Sequence, residues 1–226
     1  MSQEINSLTF GGVNFYLVKT NQGFILIDTG YTKNRQEIEK ELQAKDCPPT
    51  NLKLILLTHG DFDHSGNARY LREKIGGKIA MHQGDKGIVE QGDLFSGRKM
   101  NFLMRGIGKI ILFFLKSSFS KEDRFIPDFY VEEGYDLSEF GLNAKVVYLP
   151  GHSNGSIGIL TASGVFFCGD LLVNIKQPAA NSLIGNKEMF KNSLRKLKTL
   201  NITIVYPGHG KPFTPQELWE NQKSKV

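Results

Sequence analysis

Apolar and polar positions follow two rhythms along this chain. Short apolar runs bounded by polar residues or glycine recur at residues 24–27, 54–57, 146–149, 165–168 and 202–206. Runs this short and this well bounded predict buried strands. Residues 13–19 and 23–28 predict a hairpin over Asn21-Gln22, and residues 156–162 and 164–168 a second one around Ser163-Gly164. Residues 78–82 predict another short strand. A helical rhythm takes over at residues 33–44, where Ile38 and Leu42 stand four apart among charges. Residues 65–75, 187–199 and 215–223 are also predicted helices. In the second of these, Met189, Phe190, Leu194 and Leu197 form the apolar stripe. Strands thus alternate with helices along the chain, as in α/β proteins.

The chemistry sits where strands stop. After residues 54–57 comes Thr58-His59-Gly60-Asp61-Phe62-Asp63-His64, four metal-ligating side chains in six residues. His59 and Asp61 lie in the turn. Asp63 and His64 emerge at the helix start and can address a second point nearby. Taken alone, such a turn also fits a solvated loop with Asp63 or Ser65 as helix cap. The other histidines decide against that. Of five in the chain, His59, His64, His152 and His209 all lie just beyond an apolar run. Asp170 follows residues 165–169 in the same way. The repeated grammar is strand, small residue, ligand, and glycine before the ligand lets the backbone approach a site closely. His82, the fifth histidine, also ends a strand, and a structural or pocket-rim role is expected for it.

These pieces resemble the metallo-β-lactamase-fold superfamily of metallohydrolases. The matching segments are Phe24-Ile25-Leu26-Ile27-Asp28-Thr29-Gly30, Thr58 to His64, Gly151-His152-Ser153, Cys168-Gly169-Asp170 and Pro207-Gly208-His209-Gly210, in the family's order. The resemblance implies a four-layer αβ/βα sandwich with a dinuclear metal site at one edge. It implies that His59, Asp61 and His152 hold a first metal and that Asp63, His64 and His209 hold a second, with Asp170 bridging both. Asp28 would orient the ligand loop from behind. The usual motif is His-x-His-x-Asp-His, and this chain has Asp61 at the second position. A carboxylate there is harder than imidazole and adds negative charge, which makes iron or manganese more competitive against zinc. Two divalent ions are expected, zinc first, with iron or manganese as alternatives.

Length and composition fit one domain over residues 1–226, with 40% hydrophobic residues and no linker-like stretch. The least typical segment, residues 87–127, is strongly apolar with basic punctuation. It reads as a helical lid over the site, with a homodimer face or membrane-surface contact as alternatives. As a lid, it would place Phe102, Ile107, Ile111 and Phe114 at the pocket mouth. No apolar run is long enough to span a bilayer. The N-terminus lacks a signal-peptide pattern, and Cys47 and Cys168 show no motif spacing, so a reducing cytoplasm is expected. The net charge of +5 permits an anionic substrate. No aromatic-basic interleaving points to nucleic acid.

The expected activity is hydrolysis of a small, partly apolar ester, thioester, lactone or phosphoester by a metal-bridging hydroxide, with Asp63 as catalytic residue. The resemblance counts against two substrate types. Glyoxalase II-like thioesterases carry a further helical domain, and the best-known zinc β-lactamases place cysteine where Asp170 stands. The alternatives are a diiron oxidoreductase and a non-catalytic, metal-stabilised binding module. Asn174, Lys176 and Asn181 lie just past Asp170, within possible reach of substrate.

Overall fold

The computed structural model describes residues 4–96 and 120–223. Among these residues twelve strands form two main sheets and a small ribbon. The first sheet runs in chain order through β1 (Ile5–Phe10), β2 (Val13–Thr20), β3 (Gly23–Ile27), β4 (Leu52–Leu56), β5 (Lys78–Met81) and β6 (Phe129–Tyr130). β1 to β3 pair antiparallel, and β3 to β6 pair parallel. The second sheet comprises β7 (Ala144–Tyr148), β8 (Ile157–Thr161), β9 (Val165–Gly169) and β12 (Ile204–Pro207), in the order β12-β9-β8-β7. β10 (Leu172–Val173) and β11 (Ala179–Ala180) make the ribbon. The α-helices among the described residues are α1 (Arg35–Ala44), α2 (Phe62–Ser65), α3 (Ala68–Lys74), α4 (Lys86–Gln91), α5 (Lys187–Leu197) and α6 (Pro215–Lys223).

Strand side chains alternate between faces, and here both faces are buried. Phe15, Leu17, Phe24 and Leu26 point to one side of the first sheet, against Ile38 and Leu42 of α1, Leu71 of α3 and Ile88 of α4. Their neighbours Tyr16, Val18, Ile25 and Ile27 point to the other side, against Val146, Ile157, Ile159 and Phe167 of the second sheet. The outer face of that sheet, with Val147, Phe166 and Val205, packs on Phe190 and Leu197 of α5 and Leu218 of α6. The result is the expected four-layer sandwich. Burying Phe15, Leu17, Ile25, Leu26 or Ile27 contributes about 1.5–3 kcal/mol each, and all five are fully buried. The Asn186 side chain caps α5 by accepting from the amides of Glu188 and Met189 at 3.2 and 3.3 Å.

One expectation about the helices needs correction, and one alternative reading of the ligand turn falls away. The predicted helix at residues 65–75 is split between α2 and α3, because Gly66 and Asn67 are pinned to the loop after β3. The Asn67 amide donates to the carbonyls of Thr29 and Tyr31, both at 2.8 Å. A Cβ on Gly66 would stand 2.8 Å from the Gly30 oxygen. Nor does Asp63 or Ser65 cap the helix. Asp61 occupies the cap position of α2 without a side-chain cap bond, while the Ser65 hydroxyl donates to the Gly60 and Asp61 carbonyls.

The apolar segment at 87–127 is also less separate than expected. At its ends Ile88, Val89, Leu94 and Phe125 are buried in the core on the helix side of the first sheet. Phe102, Ile107, Ile111 and Phe114 lie outside the described residues. Among the described residues no helix is long and apolar enough to cross a membrane.

Candidate metal centre

Both main sheets end at one edge of the sandwich, and the candidate ligands gather there. His59 and Asp61 follow β4, and α2 carries Asp63 and His64. His152 follows β7, Asp170 follows β9 and His209 follows β12. Two glycines make the gathering possible. Gly151 has φ 140° and lies so close to α5 that a Cβ would meet the Phe190 backbone at 2.4 Å. Gly208 lies against the site itself, where a Cβ would stand 2.3 Å from Asp170 Oδ1 and 2.7 Å from His64 Cε1. The His209 loop is tied across to β2, since the Asn14 side chain donates to the carbonyls of Pro207 and Gly210 and Tyr16 donates to that of Pro207.

All seven predicted residues come together. His59, Asp61 and His152 form one group, His59, His64 and Asp170 a second, and Asp63, His64 and His209 a third, each with ligand atoms within 4.8 Å of one another. His152 Nε2 lies 3.1 Å from Asp61 Oδ2, and His59 Nε2 lies 3.8 Å from the same oxygen. Asp170 stands between the groups. Its Oδ1 is 3.3 Å from His64 Nε2, and its Oδ2 is 3.3 Å from His209 Nε2 and 3.9 Å from His152 Nε2. Asp63 Oδ2 lies 3.7 Å from Nε2 of both His64 and His209.

The outward-facing nitrogens explain the orientation of the rings. His64 Nδ1 meets Asp28 Oδ2 at 2.9 Å, His152 Nδ1 the Leu183 carbonyl at 2.8 Å, and His209 Nδ1 the Gly12 carbonyl at 2.9 Å. His59 Nδ1 lies 3.0 Å from the Thr58 hydroxyl, which donates to Asp28 Oδ2 at 2.8 Å and so offers its lone pair to the ring. Each partner is an acceptor, so each ring carries its proton on Nδ1 and turns the Nε2 lone pair inward. Asp28 also accepts from the Thr58 amide at 2.8 Å. It holds φ 62°, an uncommon value for a residue other than glycine, and its buried hydrogen bonds stabilise that backbone.

A divalent cation fits this arrangement. His64 Nε2 and His209 Nε2 stand 3.4 Å apart. When both rings are neutral with the proton on Nδ1, two acceptors face each other with no donor between, as they would around a cation. Two nitrogens about 2.0–2.1 Å from one tetrahedral ion stand roughly 3.3–3.4 Å apart. His59 Nε2 is buried and has no hydrogen-bond partner among the described residues, a costly state for a polar atom unless it serves as a ligand. The electrostatics also call for positive charge. Burial opposes protonation of His64, but Asp170, Asp63 and Asp28 outweigh it and lift its pKa well above the ordinary imidazole value. Burial likewise opposes charge on His209, which Asp170 overcomes. Burial would raise Asp170, yet His64, His209 and His59 hold it well below the usual carboxylate range. His59 is driven down, first by burial and then by His64.

Other polar residues take supporting places. Asn181 donates to Asp170 Oδ2 at 3.2 Å and accepts from the Leu183 amide at 3.0 Å, so it braces a ligand rather than reaching outward. Asn174 is engaged with the Lys211 carbonyl. His82 stacks on Tyr148 with ring centroids 4.2 Å apart, and its Nδ1 accepts from the Gly84 amide. It belongs to none of the three ligand groups. One buried acid escaped the sequence reading altogether. Asp85 accepts from the Gly60 and Gly155 amides at 2.9 and 2.7 Å and from the Ser153 hydroxyl at 2.6 Å. Burial raises its pKa, against the pull of those hydrogen bonds.

Comparison with known proteins gives the family of this chain. The pattern of the metallo-beta-lactamase superfamily matches residues 8–209. The hydroxyacylglutathione hydrolase GloC of Haemophilus influenzae is 32% identical over 179 residues, covering 77% of this chain and 76% of its own. YqjP of Bacillus subtilis, named a probable metallo-hydrolase, is 27% identical over 239 residues, covering 95% of this chain and 72% of its own. The crystal structure of TTHA1623 in a di-iron-bound form superposes with a TM-score of 0.70 at 26% identity, covering 92% of this chain and 94% of that one. The chain belongs to the metallo-beta-lactamase superfamily. Within it, the chain is a metal-dependent hydrolase.

Proposed function

We propose that this protein is a dinuclear metallohydrolase acting on a small acyl substrate, a thioester ahead of an ester, lactone or phosphoester. The observation that carries the reading is the convergence of inward Nε2 lone pairs and carboxylates on a buried, unpartnered His59 Nε2. We assign His59, Asp61 and His152 to one ion, Asp63, His64 and His209 to the other, and Asp170 to both. Two bound divalent ions supply an activated water and Lewis acidity toward the substrate oxygen. Zinc is our choice for both, and iron is the rival that Asp61 favours.

The chain's own residues do the rest. We assign Asp63 as the catalytic residue: one oxygen faces His64 and His209, and the other would accept a proton from the attacking water. In the metal-free chain burial raises its pKa above the ordinary carboxylate value, ahead of the opposing pull of His64. The thioester preference draws on the name of the Haemophilus relative. That relative, itself named a hydroxyacylglutathione hydrolase, aligns over 76% of its own length, which supports a thioester as substrate. An apolar portion of the substrate is supported by two exposed aliphatic side chains. Ile175, 73% exposed, follows Asn174, whose amide donates to the His209 carbonyl. Leu183, 69% exposed, carries the carbonyl that anchors His152.

The test combines metal analysis with a panel of thioesters, esters, lactones and phosphodiesters. The wild type should carry close to two transition-metal ions per chain and cleave at least one class. Asp170→Ala should lose metal and nearly all turnover. A wild type that takes up no metal when zinc, iron and manganese are supplied sinks the proposal.

A further inference from the structure

The two loops that carry His59, Asp61 and His152 come from different sheets. The first follows β4 and the second joins β7 to β8. Between them sits Asp85, in the turn linking β5 to α4, and it is fully buried. Its Oδ2 accepts from the Gly60 amide, the residue between His59 and Asp61, and from the hydroxyl of Ser153, the residue after His152. Its Oδ1 accepts from the Gly155 amide. The packing around this carboxylate leaves no slack. A Cβ on Gly60 would stand 3.0 Å from Asp85 Cβ, and one on Gly155 would stand 2.6 Å from Asp85 Cγ. A Cβ on Gly84 would meet the Asn154 carbonyl at 2.6 Å. Gly60 and Gly155 thus let two backbone segments close onto one side chain, and Gly84 lets the turn that carries Asp85 meet the second of them.

We infer that Asp85 is a positioning residue for one of the two ions, setting the distance between the loop of His59 and Asp61 and the loop of His152. Asp28 plays the corresponding part for the other ion, because it touches His64 Nδ1 directly. Asp28 reaches His59 only through the Thr58 hydroxyl, so Asp85 is the carboxylate that ties the loop of His59 and Asp61 to the loop of His152. The inference rests on the ligand assignment proposed above. It extends that assignment to a residue that touches no ligand side chain and lies 25 residues from Gly60 and 70 from Gly155 in sequence.

The test reads metal binding rather than turnover. Asp85→Asn keeps the volume, but its NH2 group must face at least one of the donors that the carboxylate now accepts from. Stepwise dissociation constants for cobalt(II) would be followed by absorbance in the wild type, Asp85→Asn, Asp28→Asn and His152→Ala. Loss of a group that orients ligands from behind lowers metal affinity by about 10–100-fold. Asp85→Asn should weaken one of the two ions by that factor and leave the other within about threefold. Combined with His152→Ala it should add nothing further to the remaining ion, whereas Asp28→Asn should weaken that ion. Equal weakening of both ions, or of neither, overturns the inference. If Asp85→Asn does not fold, Ser153→Ala decides, since it removes one bond and keeps the carboxylate. A smaller shift on the same ion supports the inference, and no shift overturns it. A wild type that binds no cobalt overturns the ligand assignment itself, a result distinct from the others.

Discussion

Gly208→Ala is the sharpest single perturbation of this site. The backbone of Gly208 is outside the left-handed region, so alanine can adopt it without strain; the effect comes from the added methyl alone. That Cβ would stand 2.3 Å from Asp170 Oδ1, where ordinary contact begins at 3.4 Å, and 2.7 Å from His64 Cε1. Neither neighbour can give way easily. Asp170 is held by Asn181 and His64 by Asp28. The overlap therefore demands about 1 Å of movement at the residue assigned to both ions. A 1 Å misplacement in a reacting centre costs about 100-fold in rate, while overpacking costs about 1–3 kcal/mol in stability. Gly208→Ala should thus remain folded with a modestly lowered Tm, bind metal more weakly, and lose about 100-fold in kcat/KM. Thermal unfolding with and without chelator, elemental analysis and steady-state kinetics would measure the three effects. Unchanged kcat/KM and metal content would refute the reasoning, because the methyl would then have found room that the site does not offer.

Two further predictions follow from the same centre. Asp61→His removes one negative charge next to His152 and His59 and supplies a softer ligand, so the Zn-to-Fe ratio after matched growth should rise; an unchanged ratio would mean that Asp61 does not coordinate. The pH dependence should have opposite signs with and without metal. His64 and His209 have pKa values raised above 6.5 in the folded chain, so in the metal-free protein their stabilising contribution is full below pH 6.5 and is lost as pH rises through the raised values. Metal must displace those protons, so metal affinity should climb over the same window, measurable by chelator competition between pH 6 and pH 8.5. A flat affinity would exclude both imidazoles as ligands.

The site was legible because its ligands sit in a repeated position, one small residue past the end of an apolar run. His59, His152, Asp170 and His209 need no knowledge of the fold to be singled out. The supporting carboxylate Asp85 was not legible. His82-Gln83-Gly84-Asp85 reads as an ordinary polar turn, and its partners are backbone amides and a hydroxyl on distant loops, which leave no pattern in side-chain identity. The break between α2 and α3 was missed for a related reason. Asn67 spends its amide on the carbonyls of Thr29 and Tyr31, and a local helical rhythm cannot reveal a bond to another strand. The strands β6, β10 and β11 are two residues long each, too short for alternation to register. The paired clusters of the first sheet were legible in kind, since continuous apolar runs such as residues 24–27 predict strands buried on both faces.

Because the candidate ligands stand at strand ends in two separate sheets, neither sheet alone completes the centre. His64 and His209 are 145 residues apart in the chain, and neither sheet alone holds both. Bringing them together requires the sheets to have docked along the apolar layer that joins Tyr16, Ile25 and Ile27 to Ile159 and Phe167. In a zinc finger the metal organises a chain that has no core of its own. Here the order of events is reversed: three apolar clusters must assemble first, through contacts between residues far apart in sequence, which is slow. On this geometry a metal ion would meet a surface that the packing of the two sheets has already built.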